Sequence, residues 1–296
     1  MSLLRPFRPV RLAAASALAL GLALPALAAT SSLDAYNRQG PAPTQQVVHY
    51  VKSNLDGSKR SVLSLYFPAP LEVEVLKAEA DGRYLALVRA RLDPQTLSEA
   101  WMRSYNHLER GPGQERLQMQ MDAEPGAARR IAQVAGTQMP VTASHLPAHV
   151  YNFDLSGLNL TLPLLKNPRA DFQVGLVDPD FAFLRQHFKP NAGTLDGGFK
   201  DKGLARFRYV GDETLDDEVA VHRYEVSGPA FGGQTGWLWV NAQDRLIERF
   251  EHPVPDNPDW SSFKLQRLSS RPLDAAGWAT FKEATVRRAM GLREAE

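Results

Sequence analysis

Side chains that could bind a metal or act in catalysis are spread along the chain without the spacing of a known motif. His145 and His149 are four residues apart, a spacing that would place two imidazoles on one face of a helix. Pro147 lies between them and forbids a regular helix there. We therefore predict no metal site at these histidines.

Two groups of acidic residues could serve as calcium ligands or as an acid/base pair: Asp178 with Asp180, and the run at 216–218. Neither has the spacing of a calcium-binding loop, so hydrophilic turns are the favoured interpretation. The alternative is a hydrolase of the cell envelope whose carboxylates converge only in the folded chain. Its candidates are Asp178, Asp180 and Glu248.

Serine and glycine patterns do not add a catalytic motif. No serine has the Gly-x-Ser-x-Gly frame of a nucleophile turn. The glycine-rich stretch 232–236 leads into the strand-like sequence at Trp237 and not into a helix that could hold phosphate. We predict a hairpin loop there, no cofactor and no catalytic residue.

Aromatic residues are densest between positions 237 and 263. Trp237 and Trp239 are two apart and so share one face of a strand. That face could be core, because aromatic side chains dominate apolar burial, or it could be the wall of a ligand cavity enclosed by a curved sheet. In the second case the ligand-binding residues are Trp237, Trp239, Phe250 and Phe263.

The first 28 residues have the form of a cleavable signal peptide. Arg5, Arg8 and Arg11 precede an apolar run that ends in small residues at Ala26 and Ala28. The run is shorter than a membrane-spanning helix requires. We expect cleavage near Ala28 and a periplasmic location, which assumes a bacterium with two membranes. Export beyond the outer membrane stays open.

Composition limits the class of protein further. Removal of residues 1–28 takes away three arginines and no acid, so the formal net charge falls from +1 to −2 over the remaining 268 residues. A nearly neutral chain without a dense basic stripe argues against a nucleic-acid partner. The chain has no cysteine, which excludes disulfides and acylation after cleavage.

Local patterns predict a flexible lead-in at 29–46 and one β-rich domain at 47–296. Alternating apolar residues predict hairpins at 47–67 and 71–90, the latter turning at Asp81 and Gly82. Further strands are predicted at 115–122, 172–177, 204–210, 219–226, 237–240, 246–251 and 263–265. A short helix is expected after Asp93, and the segment 151–166 fits either a helix or a strand, with helix slightly favoured. An amphipathic helix at 274–290 closes the chain, capped by Asp274.

The order of these elements resembles exported bacterial proteins of half-barrel type. It includes the signal peptide, antiparallel hairpins, the glycine-rich turn into Gly236-Trp-Leu-Trp-Val240, the strand 245–250 and the final helix. The architecture is similar to that of outer-membrane lipoprotein carriers. The resemblance implies a mainly β (α+β) fold, a curved antiparallel sheet with the C-terminal helix packed on it. It also implies an acyl chain or other apolar envelope molecule bound on the concave face.

The expected function is that of a non-enzymatic periplasmic protein that binds a hydrophobic, lipid-like ligand or an envelope protein partner. Two other functions stay open. The alternatives are the hydrolase described above and a structural or assembly protein with an exposed sheet edge.

Overall fold

The computed structural model describes residues 30–79, 85–106, 115–123, 129–215 and 218–291. These residues form seventeen strands and three α-helices, with short 3-10 turns between some of them. The strands are β1 Thr30–Ser31, β2 Gln46–Ser53, β3 Ser61–Phe67, β4 Glu72–Glu79, β5 Leu85–Leu92, β6 Glu99–Asn106, β7 Arg116–Ala123, β8 Arg129–Val134, β9 Thr137–Thr142, β10 His145–Leu146, β11 Ala148–Val150, β12 Phe172–Pro179, β13 Phe199–Thr214, β14 Ala220–Ser227, β15 Gly236–Asn241, β16 Ile247–His252 and β17 Phe263–Pro272. The helices are α1 Ser156–Thr161, α2 Phe181–His187 and α3 Ala275–Ala289.

Fifteen of the described strands form one large, curved and open sheet. Its order is β11-β12-β13-β14-β15-β16-β17-β2-β3-β4-β5-β6-β7-β8-β9, and every pairing is antiparallel except β11 with β12. Neighbours in sequence are neighbours in space almost throughout, as short hairpin connections require. The predicted mainly β class with a curved antiparallel sheet is confirmed.

The two faces of the sheet are separated by the period-two alternation of each strand. In β2, Val48 and Tyr50 face the main core, whereas Val47 faces the opposite side and packs with α3. Trp278 and Val286 of α3 are buried there. The Asp274 carboxylate caps the helix by accepting from the Gly277 amide at 2.7 Å. The predicted terminal helix and its cap are therefore confirmed.

The main core is completed by residues 151–165, which we call the plug. This segment has a 3-10 turn at Tyr151–Phe153, helix α1 and a 3-10 turn at Leu162–Leu164. Its apolar side chains share one core with residues from most strands of the sheet. Asn159 joins the plug to two strands, because its Oδ1 accepts from the Tyr50 hydroxyl at 3.1 Å and from the Ile247 amide at 2.9 Å.

A buried cluster of Glu99, Arg130 and His149 holds edge strand β11 against β6 and β8. The three side chains are fully buried, and the Glu99 carboxylate lies 3.6 Å from both Arg130 Nη2 and His149 Nδ1. Arg130 donates to the Ala148 carbonyl at 3.0 Å, and Glu99 accepts from the Val150 amide at 3.2 Å. Since β6 and β8 lie near the other end of the strand order, these contacts fix the curvature of the sheet.

The structure adds detail to one local expectation, corrects a second and does not describe a third. Within the predicted flexible lead-in at 29–46, Tyr36 is buried and its backbone bridges to Leu165, and the Ser32 amide donates to the Leu146 carbonyl at 2.7 Å. The sequence after Asp93 makes a turn and then β6, because Trp101 and Met102 are used in strand pairing. The turn predicted at Asp81 and Gly82 lies outside the described residues.

Gly157→Ala should destabilise the protein, because a Cβ at this position would lie 2.7 Å from His149 Nδ1 inside the packed core. We expect a loss of about 2 kcal/mol in the free energy of unfolding, measured with urea. Ser156→Ala is the matched control in the same helix. Its buried hydroxyl has no hydrogen-bond partner among the described residues, so removing it should be neutral or slightly stabilising. Equal losses in both variants would contradict this description of the plug.

Candidate functional site

A cleft of about 660 Å³ opens at the end of the sheet where β2 and β4 finish and β3 and β17 begin. Its walls come from the β2–β3 turn, the end of β4, the start of the plug and the loop before β17. The lining residues are Lys52, Lys59, Arg60, Ser61, Leu63, Lys77, Ala78, Glu79, Asn152, Asp154, Asn257, Asp259 and Trp260. The volume suits a small molecule or one group of a larger one.

The floor of the cleft is a buried network of two lysines and two aspartates. Lys52 Nζ donates to Asp154 Oδ1 at 2.6 Å and to Asp256 Oδ2 at 2.7 Å. Lys77 Nζ pairs with the other oxygen of Asp154. Both carboxylates are almost completely buried, and the side chain of Lys77 is the most exposed of the four at 19%. The network joins β2, β4, the plug and the loop before β17.

Local backbone geometry explains how these side chains meet. Lys52 continues the core-facing alternation of Val48 and Tyr50, and Lys77 continues that of Val73 and Val75, so both lysines point to the concave side. Asp154 has a left-handed conformation with φ of 54°, which aspartate tolerates better than most residues. That bend turns its carboxylate back to the strand ends. Lys52, Lys77 and Asp256 lie outside every motif considered in the sequence.

Burial and neighbouring charges shift the pKa values of the two aspartates in opposite directions. Burial alone would raise the pKa of Asp154, but the charges of Lys52 and Lys77 outweigh it and hold this pKa well below its usual range. Burial raises the pKa of Asp256, and the negative charge of Asp154 adds to the effect, against the opposing charge of Lys52. Burial would lower the pKa of Lys52, but the two aspartates raise it overall. Asp154 and Lys52 are therefore ionised at neutral pH, and Asp256 is the member that readily accepts a proton.

Hydrogen bonds between the loops hold the rim of the cleft in place. The Asn54 side-chain oxygen accepts from the amides of Ser261 and Ser262 at 3.0 and 3.2 Å, and Lys59 Nζ donates to the Asp259 carbonyl. Trp260 stands beside the floor, with Lys52 Nζ 4.7 Å from its ring centroid. An arrangement fixed in this way is preorganised for a ligand.

Asp178 lies behind the cleft wall at the end of β12. Its Oδ1 accepts from the Asn152 amide at 3.0 Å, and the Asn152 side chain donates to the Asp256 carbonyl at 2.8 Å. Burial raises the pKa of Asp178 to about 7, although the nearby charges of Lys202 and Lys200 oppose the shift. Two titratable carboxyls, Asp178 and Asp256, thus flank Asn152.

The other acids proposed for a hydrolase do not join Asp178 at one centre. Asp180 caps α2, accepting from the Phe183 amide at 3.0 Å. Glu248 accepts from Asn241 at 3.1 Å and pairs with Arg267 at 3.4 Å. Among the described residues, no three His, Cys, Asp or Glu side chains come together as a metal site.

The four aromatic residues predicted to line a ligand site lie on opposite faces of the sheet. Phe250 and Phe263 are fully buried in the main core, with ring centroids 5.2 Å apart. Trp237 and Trp239 point to the other face, where the Arg223 guanidinium lies 4.0 Å from the Trp237 ring and the Trp239 indole donates to Glu213. The structure therefore does not bring the four residues into one site.

The concave face is occupied by the plug. The apolar side chains of the plug are at most 3% exposed, namely Tyr151, Phe153, Leu155, Leu158, Leu160, Leu162, Leu164 and Leu165. They pack directly against the strand residues that an acyl chain would have to contact. The described residues thus fill this face with their own side chains.

Comparisons with known proteins give no family and no close relative. No protein-family model matches the chain, and a search of curated proteins found no match. Among solved structures, the chain is similar to a candidate exported protein with a YmcC-like fold from Bacteroides fragilis NCTC 9343. That match has 13% identity and a TM-score of 0.24, and it covers 78% of this chain and 98% of the other. In the part of the chain that the structure describes, no helix has the length and apolar character needed to cross a membrane.

Lys52→Met should destabilise the fold strongly, because it leaves two buried carboxylates without their shared cation. We expect a loss of about 3 kcal/mol in the free energy of unfolding. Lys264→Met is the matched control: Lys264 pairs with Glu251 at 3.1 Å at a partly exposed position, so its loss should cost less than about 1 kcal/mol. Urea denaturation of both variants measures the difference, and similar losses would show that the network is not a main anchor.

Asp178→Asn should change how stability depends on pH. The folded pKa of Asp178 is about 7, whereas an unfolded aspartate titrates near 4, so between these values the folded state holds more protons. This group therefore makes stability fall as pH rises from about 4 to 7. The variant lacks the effect, and its stability relative to the parent should be higher at pH 8 than at pH 5, by on the order of 2 kcal/mol. Urea denaturation at both pH values measures it, and a difference that does not change with pH would contradict the assignment.

Proposed function

We propose that this protein is an exported, non-enzymatic binding protein that holds an anionic group of an envelope molecule in the cleft at the end of its sheet. The group is a carboxylate or a phosphate, carried by a small molecule or by part of a larger one. Titration with four different anionic probes distinguishes a glycan from a lipid head group as the source of that anionic group.

The observation that carries this proposal is an exposed arginine at a cleft whose other accessible charges balance, Lys59 and Lys77 against Glu79 and Asp259. Arg60 is exposed, lines the cleft and makes no ion pair with the residues that the structure describes. Lys59 and Lys77 lie on the same walls. Arginine and lysine beside a preorganised polar wall are suited to carboxylate and phosphate. Asn152 and Asn257 supply amides that can fix the orientation of a ligand.

The packed concave face makes a buried acyl chain a poorer fit than a polar ligand. An acyl chain on that face would have to displace the plug, which is tied to the sheet by Asn159 and by the Lys52 network. Displacing it would expose several leucines and separate the buried ions. The proposed ligand instead uses a cleft that is already open.

Export is supported by the basic n-region and apolar run of residues 1–28, which form a signal-peptide pattern. A periplasmic location follows if the source cell has two membranes. We place the ligand in the envelope because an exported protein meets its ligands there.

Arg60→Glu should weaken binding of anions at least 10-fold without changing the stability of the fold, because Arg60 is exposed and outside the core. Isothermal titration calorimetry of the mature protein would test inorganic sulfate, inositol hexasulfate, an oligomer of uronic acid and vesicles containing anionic phospholipid. Arg206→Glu is the control, since Arg206 is exposed on β13, is outside the cleft and undergoes the same change of charge.

The result expected is that at least one anion binds, that R60E weakens it and that R206E does not. Binding to uronic acid alone would identify a glycan source, and binding to vesicles alone would identify a lipid head group. Equal weakening by both variants, or no binding by any of the four probes, would overturn the proposal. Turnover of a panel of envelope ester and glycoside substrates that is lost in D178N would support the hydrolase instead.

A further inference from the structure

Asp256, the most deeply buried acid of the cleft floor, has one carboxylate oxygen that accepts no hydrogen bond from the described residues. Asp256 Oδ2 accepts from Lys52, whereas Asp256 Oδ1 is buried and accepts no hydrogen bond from the described residues. A proton on Asp256 can be donated to the adjacent carboxylate of Asp154. The side chain of Asp256 has no solvent exposure. A buried carboxylate with one unsatisfied oxygen is costly, and a proton on that group removes much of the cost.

We propose that binding of an anion in the cleft is coupled to the uptake of one proton by Asp256, so that the protein binds its ligand more tightly at acidic pH. This inference rests on the proposed function and assigns a form of regulation to the same site.

The charges around Asp256 come from every element that packs against it. Lys52 of β2 contributes one positive charge and Asp154 of the plug one negative charge, and Lys202 of β13 and Tyr151 of the plug also interact with Asp256 electrostatically. Lys77 of β4 acts through its ion pair with Asp154. Burial and Asp154 together raise the pKa of Asp256, against the opposing charge of Lys52.

A count of charges shows how the proton would help an anion to bind. With both aspartates ionised, the two lysines and two aspartates of the floor sum to zero. With a proton on Asp256, the same four groups carry one net positive charge, and Lys52 compensates Asp154 alone. Lys77 is the most exposed of the four and lines the cleft, so this net positive charge can attract an anionic ligand there. An anion near Lys77 in turn favours the protonated form of Asp256, since linkage is reciprocal.

Asp178 is the rival acceptor of the proton, because it is also buried, and its pKa is raised to about 7. It differs in position: it accepts from the Asn152 amide behind the wall, and the charge of Lys52 lowers its pKa only from a distance, whereas Asp256 accepts a hydrogen bond from Lys52 directly. We assign the coupled proton to Asp256 because Lys52 donates both to Asp256 and to Asp154, which pairs with Lys77 at the cleft.

The test is calorimetric binding of inositol hexasulfate, whose charge stays constant between about pH 5 and pH 8. Titrations at pH 7 in two buffers with different enthalpies of ionisation give the number of protons taken up. We expect uptake of roughly half a proton at pH 7 and binding about fivefold tighter at pH 6 than at pH 8, within the limit of tenfold per pH unit for one proton. No uptake, with clear binding, would overturn this inference and leave the proposed function standing.

Two variants separate the acids. Asp256→Asn cannot titrate and should bind with an affinity that does not vary with pH and with no exchange of protons. Asp178→Asn should keep the pH dependence of the parent. If D178N loses the pH dependence and D256N keeps it, the proton belongs to Asp178 and the inference is wrong.

A measurement without ligand covers the case in which D256N does not fold or hexasulfate does not bind. Carbon-13 NMR of the aspartate carboxyls in the unmodified mature protein, from about pH 4 to pH 8, follows each buried acid directly. Titration of Asp256 above the normal range of aspartate supports the switch. Titration of Asp256 within or below that range overturns it, whatever the binding data show.

Discussion

The ion pairs of Lys52 with two buried aspartates are the contacts on which the arrangement of sheet, plug and cleft depends. Lys52 belongs to β2, near the middle of the strand order, while Asp154 begins the plug and Asp256 belongs to the loop before β17. One ammonium group therefore fixes three distant parts of the chain. Such a network is expensive to bury, and it is tolerated when every charge has a partner with good geometry. Among the described residues, Asp256 Oδ1 has no hydrogen-bond partner, and this unsatisfied oxygen is the basis of the proposed uptake of a proton.

The plug covers the concave face of the sheet, which an open half-barrel would leave accessible to a ligand. A curved sheet of this size leaves a concave face that must be covered, either by a ligand or by the chain itself. In this chain residues 151–165 cover it, with left-handed conformations at Asp154 and Leu155 at the point where the plug enters. Backbone strain of this kind persists only where surrounding contacts compensate it. The Lys52 network supplies those contacts, so the same residues that anchor the plug also form the floor of the cleft.

Much of the fold was predictable because it follows from local periodicity. The alternation around Val48, Val73 and Met119 predicted strands, and the Asp274 cap with helical spacing after it predicted α3. Short hairpins also account for most of the strand order, but not for the central pairing of β17 with β2 or for the parallel pair β11–β12. The burial of Tyr36 within the predicted lead-in was not foreseeable, because it depends on the plug and cannot be seen in the composition of residues 29–46. The helix expected after Asp93 failed because strand pairing overrode a local capping signal.

The candidate site was much less predictable. Lys52, Lys77, Asp154 and Asp256 have no characteristic spacing, since strand pairing and the plug bring them together from distant parts of the chain. One signal was present: Lys52 and Lys77 each continue the core-facing alternation of their strands, and a charge at a core-facing position demands a buried partner. The aromatic residues were the more conspicuous pattern. They divide between the core and the opposite face, because Trp237 and Phe250 have opposite parity across the β15–β16 pairing.

Native mass spectrometry of the mature protein purified from its own cells, followed by organic extraction, distinguishes a polar ligand in the cleft from an acyl ligand on the concave face. With the ligand in the polar cleft and the plug on the concave face, we expect no bound acyl compound and a polar, anionic adduct that dissociates at high salt. A stoichiometric acyl compound that stays bound at high salt and is released only by organic solvent would contradict this expectation, since such a ligand would have to replace the plug.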